Sequence, residues 1–448
     1  MCLACACSES QNDDTRHKDT PRLDLDAGDE TPSSPAVPRE PPSDVDVAQS
    51  GLSREVHPQL TAAKAATFGT DNRAFALALY AELAKKPGNL FFSPYSISTA
   101  VAMAYAGAKG KTESEIATAL HFTLPQSQLH AAFNATDLAL ARRKDKLVQS
   151  NGDVAAQGDG FQLETVDQAW GQKGYDFLDT YLDVLATNYS AGMYLIDFQA
   201  PEAARKKIND WVAVQTDRRI AALLPEQSID SNARLVLTNA IYFKASWLEK
   251  FDAAKTEPGA FMSEAGARSV DVMHVKKKLM YSLIGGYQAV ALPYISADVQ
   301  LLVVLPPKGA FADTAAGFDA ETFESLRSML RETNVTLSLP KWSFESANAL
   351  KAPLQALGMQ DAFEPDVADL SGMDGMPGNL SIDEIYHQAF IAVDEEGTEA
   401  AAATAVIGTL DFMPLDVTVT FDRPFMFLVY DQPTGEIMFL GHLADPGH

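Results

Sequence analysis

Near its C-terminal end the chain reads Val393-Asp394-Glu395-Glu396-Gly397-Thr398-Glu399-Ala400-Ala401-Ala402-Ala403-Thr404-Ala405-Val406-Ile407-Gly408-Thr409-Leu410-Asp411-Phe412-Met413-Pro414. No proline falls between Glu395 and Met413, and after Glu399 no charge returns until Asp411. A long exposed segment of small and β-branched residues is ordinarily a hazard, because it can add to any open sheet edge. For a loop that has to become a strand, the same features are requirements. A proline would delete a ladder donor, and side chains that enter a packed sheet must be small. In extended conformation Thr398, Ala400, Ala402 and Thr404 share one face while Glu399 points to the other, so the charge can stay in water. The same alanines would also suit a helix, since Ala is the best helix former. This stretch alone leaves both readings open.

Working outward, the 448-residue chain has a formal net charge of −25. That balance argues against nucleic acid or an anionic membrane surface as a partner. The one basic cluster, Arg142-Arg143-Lys144-Asp145-Lys146, reads as a solvated helix end, with polyanion binding as the alternative. From Ser8 to Pro58 there are twelve acidic and five basic residues, and no aromatic residue precedes Phe68. Such a composition cannot bury enough apolar surface to offset its ordering entropy. Residues 1–60 are therefore expected to form a disordered acidic, Pro-rich tether, and residues 61–448 one large domain. All three cysteines, Cys2, Cys5 and Cys7, lie in the first seven residues. The rest of the chain thus has no disulfide, cysteine nucleophile or Cys-based metal site. Leu3-Ala4-Cys5-Ala6-Cys7-Ser8 resembles the end of a bacterial lipoprotein signal, which makes Cys5 and Cys7 lipidation candidates and an extracytoplasmic location, secreted or lipid-anchored, the expectation. The basic start and apolar stretch of such a signal would have to lie upstream. No apolar run reaches the ~18 residues of a membrane span.

Helical spacing is expected over Ala65–Lys85, Ile97–Ala106, 125–144 and 201–220, and Thr112-Glu113-Ser114-Glu115 reads as a capping box. Leu90–Phe92, Phe161–Trp170, Leu235–Lys244, Gln300–Leu305, Val417–Phe421, Phe425–Tyr430 and Glu436–Leu440 read as strands. Leu235–Lys244 and Gln300–Leu305 are apolar enough for burial on both faces. Helices dominate the first half and strands the second without βα alternation, which is α+β rather than doubly wound. Enzymatic constellations fail. Gly107-Ala108-Lys109-Gly110-Lys111-Thr112 has Tyr105 where a phosphate loop needs its first glycine. There is no G-x-S-x-G elbow, no H-E-x-x-H and no His/Cys zinc cluster. No enzyme activity, metal or cofactor is expected.

The hinge Glu395-Glu396-Gly397-Thr398-Glu399-Ala400-Ala401-Ala402-Ala403-Thr404 resembles that of the inhibitory members of the serpin family, and the resemblance runs over about 60–446. Asn89-Leu-Phe-Phe-Ser-Pro-Tyr-Ser-Ile-Ser98, Ile208-Asn-Asp-Trp-Val212, Leu237-Thr-Asn-Ala-Ile-Tyr-Phe-Lys-Ala-Ser-Trp247, Leu292-Pro-Tyr294, Phe421-Asp-Arg-Pro-Phe425 and Gly441-His-Leu-Ala-Asp-Pro446 follow in the family's order. Asp167 stands where Asn would be expected, and residues Gln149–Gly160 read as an extended loop.

The resemblance implies a large mixed sheet A, two smaller sheets with surrounding helices, and an exposed reactive-centre loop at about 395–420. It also implies a monomer that acts as a suicide substrate, trapping a serine endopeptidase, or alternatively a cysteine one, by inserting the cut loop into sheet A. A non-inhibitory carrier or chaperone on the same fold is the alternative, which a bulky, charged or proline-bearing hinge would have favoured. By family correspondence Ser93, Ser96, Asn239 and His387 form a shutter cluster beneath the sheet. Lys341 pairs with Glu395 at its top, the breach, near Trp247. The family's spacing puts the reactive bond at Asp411–Phe412, while a slip of register would present Leu410 or Met413.

Overall fold

Strands form where the sequence is apolar at every position or at alternate ones, as periodicity requires. The computed structural model describes residues 40–145, 160–216, 218–398 and 416–447. Cys5, Cys7, the hinge from Glu399 to Thr404 and the candidate bond at Leu410–Met413 lie outside the described residues.

In chain order the strands are β1 (Asp46–Ala48), β2 (Leu90–Phe92), β3 (Phe161–Gln172), β4 (Met193–Ile196), β5 (Leu235–Ser246), β6 (Glu257–Ser263), β7 (Gly266–Ile284) and β8 (Tyr287–Pro293). They continue as β9 (Val299–Leu305), β10 (Arg331–Pro340), β11 (Trp342–Ala349), β12 (Ile382–Val393), β13 (Gly397–Thr398), β14 (Asp416–Thr420), β15 (Phe425–Asp431) and β16 (Ile437–Leu443). The helices that position the site are α1 (Ala62–Leu83), α2 (Pro94–Tyr105), α3 (Gly110–Ala119), α4 (Gln126–Ala141), α5 (Asp179–Tyr189) and α6 (Pro201–Gln215).

One sheet runs β1-β4-β3-β5-β13-β12-β11, and a second path runs β14-β10-β7-β8-β9-β15-β16-β2 with β6 also on β7. The α+β architecture is as expected, with one refinement. The two smaller sheets are continuous, because the 19-residue β7 pairs with β6 along its first residues, with β10 along its middle and with β8 along its last. Every residue of β9, β15 and β16 is buried. One face of the large sheet packs α2 and the main core. On the other face α6 lays Ile208, Trp211 and Val212 over Val166, Trp170, Val236 and Ala240.

Three sequence expectations are corrected. The helix α3 starts at Gly110, so Thr112 lies inside it rather than at its N-cap. Its hydroxyl accepts from the Asp369 N–H at 2.9 Å instead of closing a capping box. Arg143 does not belong to a solvated helix end. It is buried, and its guanidinium donates to both carboxylate oxygens of the fully buried Asp431 at 2.6 and 3.1 Å. Finally, residues 40–60, expected to belong to the tether, are docked on the domain and include strand β1, and residues 1–39 lie outside the described residues.

The β16–β2 seam leaves no room at Gly441. A Cβ there would sit 2.2 Å from the Leu90 carbonyl oxygen and 3.0 Å from the Phe427 ring. Neither a backbone carbonyl nor a ring fixed in the core can swing aside. Gly441→Ala is therefore expected to destabilise the native state by about 2 kcal/mol, seen as a lower thermal midpoint for loss of the native fold.

Candidate functional site

The site begins where two central strands part. Strands β5 and β12 pair in parallel from Leu235–Ile382 to Ile241–Ala389. Beyond that point the described register passes through β13. Gly397 and Thr398 lie antiparallel to β5 opposite Ser246 and Ala245, and Thr398 pairs with Val393 of β12. The first residues of the small-residue stretch are thus already a strand between two strands. A Cβ on Gly397 would fall 2.2 Å from the Ala245 carbonyl oxygen, so only glycine passes this contact. Thr398 is 1% exposed, and its hydroxyl shares a 2.7 Å hydrogen bond with the Tyr294 hydroxyl. Its inward direction matches the face on which period-two alternation put it.

The turn before β13 is fastened from several sides. Asp394 Oδ1 accepts from the N–H groups of Glu396 and Gly397 at 2.9 and 3.2 Å. The Trp247 indole donates to the Asp394 carbonyl at 2.9 Å, and its ring stacks on Tyr294 with centroids 4.7 Å apart. Backbone N–H groups of Trp247 and Phe251 donate to the carbonyls of Glu396 and Glu395. The Lys341 ammonium lies 2.9 Å from Glu395, whose other oxygen accepts from the Thr256 hydroxyl at 2.6 Å. Burial opposes ionisation of Glu395, but the bonds from Thr256 and Lys341 outweigh it and hold the carboxyl below its ordinary range. The same bond holds Lys341 above its own. The ammonium side chain is about a third exposed, so the pair stabilises only modestly, ~1 kcal/mol or less. Lys250 also pairs with Glu396. The sequence reading named Lys341, Glu395 and Trp247 here but missed Thr256, Lys250 and the role of Tyr294. The Leu292-Pro-Tyr294 motif was the available pointer to the last.

Beneath the paired part of the seam lies a polar cluster in an apolar core. Ser93 caps α2 and Ser96 sits in its first turn. Asn239 and His387 are register partners across β5 and β12, and Asp167 and Asn239 are partners across β3 and β5. Ser93, Ser96, Asn239 and His387 are at most 1% exposed. The Ser93 N–H donates to His387 Nε2 at 3.0 Å, so the imidazole proton resides on Nδ1, which donates to Asn239 Oδ1. Asn239 Nδ2 in turn donates to Ser96 Oγ at 2.5 Å and to Asp167 Oδ1, and Ser96 Oγ donates to Asp167 Oδ1 at 2.9 Å. Ser93 Oγ donates to the Met438 carbonyl of β16 at 2.6 Å. Asp167, the departure noted in the sequence, fits because the Ser96 hydroxyl and the Asn239 amide that meet its Oδ1 can both donate. The network fastens β3, β5, β12 and β16 to the N-terminus of α2.

Burial pushes the His387 imidazole down to about 3. Its pKa in a solvated, open state is ~6.5, so the folded value is the depressed one. Neutral His387 contributes its stability in full above pH ~6.5 and loses it as pH falls toward 3, by about 1.4 kcal/mol per pH unit. His130 and His442, each pushed down to about 4 by burial, act in the same direction. The lifetime of the native state at fixed temperature is expected to shorten steadily from pH 7 to pH 5, and His387→Gln to show a shallower dependence than the parent.

A family model described as serpin (serine protease inhibitor) matches residues 70–446. An uncharacterized serpin-like protein of Thermococcus kodakarensis is 36% identical over 377 residues, covering 83% of this chain and 84% of that protein. Leukocyte elastase inhibitor A of Rattus norvegicus is 36% identical over 390 residues, covering 84% and 98%. Among solved structures, the thermophilic serpin tengpin in its native state aligns with a TM-score of 0.75 at 26% identity, covering 89% of this chain and 97% of its own. With a seam whose upper part is occupied by the start of a small-residue loop, and with a match over most of its length, this chain belongs to the serpin family.

Proposed function

We propose that the protein is a suicide-substrate inhibitor that traps a serine endopeptidase. The nucleophile of the target attacks the carbonyl of the reactive bond, the amine of the following residue leaves, and an acyl-enzyme remains. The hinge then continues into the seam between β5 and β12 and carries the attached protease away before water completes hydrolysis. The chain supplies no catalytic group to this sequence. The single observation that most favours the reading is β13, which already lies antiparallel between β5 and β12. The hinge sequence supports it too, since from Ala400 to Leu410 it has neither proline nor charge.

In this reading the Ser93–Ser96–Asn239–His387 cluster acts as the shutter, with Asp167 as a fifth member. It holds β5 and β12 together below the hinge until the loop enters. Lys341, Glu395 and Trp247 form the breach where entry starts. Asp411–Phe412 is the reactive bond, and a carboxylate before the cut would select a protease whose pocket can pair it. Leu410 or Met413 at that place would select an apolar pocket instead.

The reading is tested with a panel of serine endopeptidases. At least one should form a complex with the full-length protein that survives denaturing electrophoresis, and sequencing the released C-terminal fragment reports the bond that was cut. Thr398→Arg should be cleaved by the same protease without retaining it, because the seat that Thr398 already fills at 1% exposure would bury an unpaired charge, so the start of the hinge would leave the seam and could not lead the loop in. A variant that still traps the protease as well as its parent would refute insertion as the mechanism.

We also propose that the inhibitor is held outside the cytoplasm through lipidation of Cys5 or Cys7. Mass spectrometry of the N-terminal peptide from the native source should show a diacyl or triacyl cysteine at one of these positions. An unmodified Met1 would end that proposal.

A further inference from the structure

The acidic segment before α1 has a fold role that its composition conceals. Strand β1 adds antiparallel to the edge of the large sheet, with Asp46, Val47 and Ala48 opposite Leu195, Tyr194 and Met193 of β4. Asp44-Val45-Asp46-Val47 alternates as an edge strand should. Val45 is buried, and Val47 packs partly buried beside it, in a cluster with Trp170, Tyr194 and Trp211. The two aspartates pair outward, Asp44 with Lys207 of α6 at 2.5 Å and Asp46 with Lys173 at 2.7 Å. The Trp211 indole of α6 donates to the Glu40 carbonyl at 2.9 Å. Further along, Ser50 Oγ donates to Asp183 of α5 at 2.5 Å, and the Glu55 N–H donates to the Thr187 carbonyl. Arg54 donates to Asn134 Oδ1 and to Asp137 of α4 at 2.7 and 2.6 Å.

The domain is shaped to receive this strap. A Cβ on Gly192 would sit 2.9 Å from the Ala48 carbonyl oxygen and 3.0 Å from Gln49 Cβ, so a glycine at the start of β4 leaves the groove open. Asn134 is fully buried in α4. It accepts from Arg54 through its oxygen and donates to the Glu55 carbonyl at 2.7 Å. Without the strap it would lose both of those partners. A side chain left out and a buried amide aimed at the strap are independent observations, and they name the same occupant.

We propose that residues 40–55 are an intramolecular clamp on the large sheet. If the loop is to enter between β5 and β12, the block β1-β4-β3-β5 with α6 on its face has to shift away from β12. The strap ties that block, at β4 and α6, to α4 and α5, and then runs into α1, which packs against β16. Shifting the block strains or detaches these bonds, so the clamp raises the barrier to opening. Its release, by displacement or by a cut in the strap, loads the inhibitor for faster insertion. This proposal rests on the loop-insertion reading.

The test uses the full-length protein and two variants placed away from the hinge and the shutter. Gly192→Ala intrudes from the domain side, and Val45→Asp removes the apolar anchor from the strap side. The readout needs no protease. It is the rate at which a synthetic peptide with the sequence of residues 399–410 enters the sheet, followed by native electrophoresis. Amide exchange over residues 44–49 reports release of the strap. Both variants should show faster exchange in the strap and peptide entry about tenfold faster than the parent, the factor equivalent to ~1.36 kcal/mol of barrier. Released straps with an unchanged entry rate would overturn the clamp and leave loop insertion standing. No peptide uptake by the parent or by either released variant would overturn loop insertion and the clamp together.

Discussion

The parallel ladder between β5 and β12 is the constraint around which the functional half of the molecule is arranged. It runs only to Ile241 and Ala389, and farther along the two strands meet through Gly397 and Thr398. Parallel pairing is slightly less stable per residue than antiparallel pairing. A strand that enters the seam runs antiparallel to both neighbours, so it replaces one parallel pair by two antiparallel ones. Every ladder group of the two old strands keeps a partner, and the new strand satisfies its own. Backbone hydrogen bonding therefore favours entry, and what opposes it must come from the layers on either side of the sheet.

Those layers oppose opening in different ways. Beneath the sheet the opposition is polar. His387, Asn239, Ser96, Asp167 and Ser93 use donors and acceptors in one consistent direction, and separating β5 from β12 would break the His387–Asn239 link first. A buried network of this kind is strongly stabilising when complete and costly when one member loses its partner, because the surrounding dielectric is low. On the other face the opposition is apolar and aromatic. Trp170, Tyr194 and Trp211 meet edge to face with centroids 5.3 to 5.5 Å apart, binding α6 to the strands it crosses. Such ring contacts resist separation yet tolerate small shear, since they have no single preferred direction, and the polar ties of α6 to Glu40 and Asp44 are what limit sliding. For the opening proposed above, the sheet has a directional latch on one side and a contact without fixed direction on the other.

Much of this was legible in the chain itself. Largely apolar runs located β5, β9, β15 and β16 to within a few residues, because a strand buried on both faces admits polar side chains only where, as at Asn239, they find buried partners. The absence of proline and charge after Glu399 is what marked the stretch as a hinge candidate, since a strand entering a packed sheet excludes both. Family order then assembled Ser93, Ser96, Asn239 and His387, four residues that no local pattern connects. Local composition failed where pairing is distant. Arg143 belongs to a basic run by sequence, yet its partner Asp431 is 288 positions away. Tyr294 and Thr398 are 104 positions apart, and neither residue announces the other. Asp44-Val45-Asp46-Val47 carries the alternation of an edge strand, but its charge density and neighbouring prolines masked it. Composition measures what a segment can bury by itself, and this one buries against a domain that already exists.

The amino-acid sequence by itself determined the α+β class, the strands of the core and a stretch from Ala400 to Leu410 without proline or charge. Each follows from which side chains can share a face or survive in a packed interior, and that is a property of neighbours along the chain. Only the tertiary structure decided that the hinge is already lodged at Gly397 and Thr398, that Asp167 joins the polar cluster as an acceptor, and that residues 40–55 bind the edge of the sheet. These depend on geometric fit between segments far apart in the chain: a carbonyl 2.2 Å from a missing Cβ at Gly397, donors converging on one carboxylate oxygen, and a groove kept open by Gly192. Contacts of that kind are set by the folded backbone, which positions groups to tenths of an ångström that residue type alone does not encode.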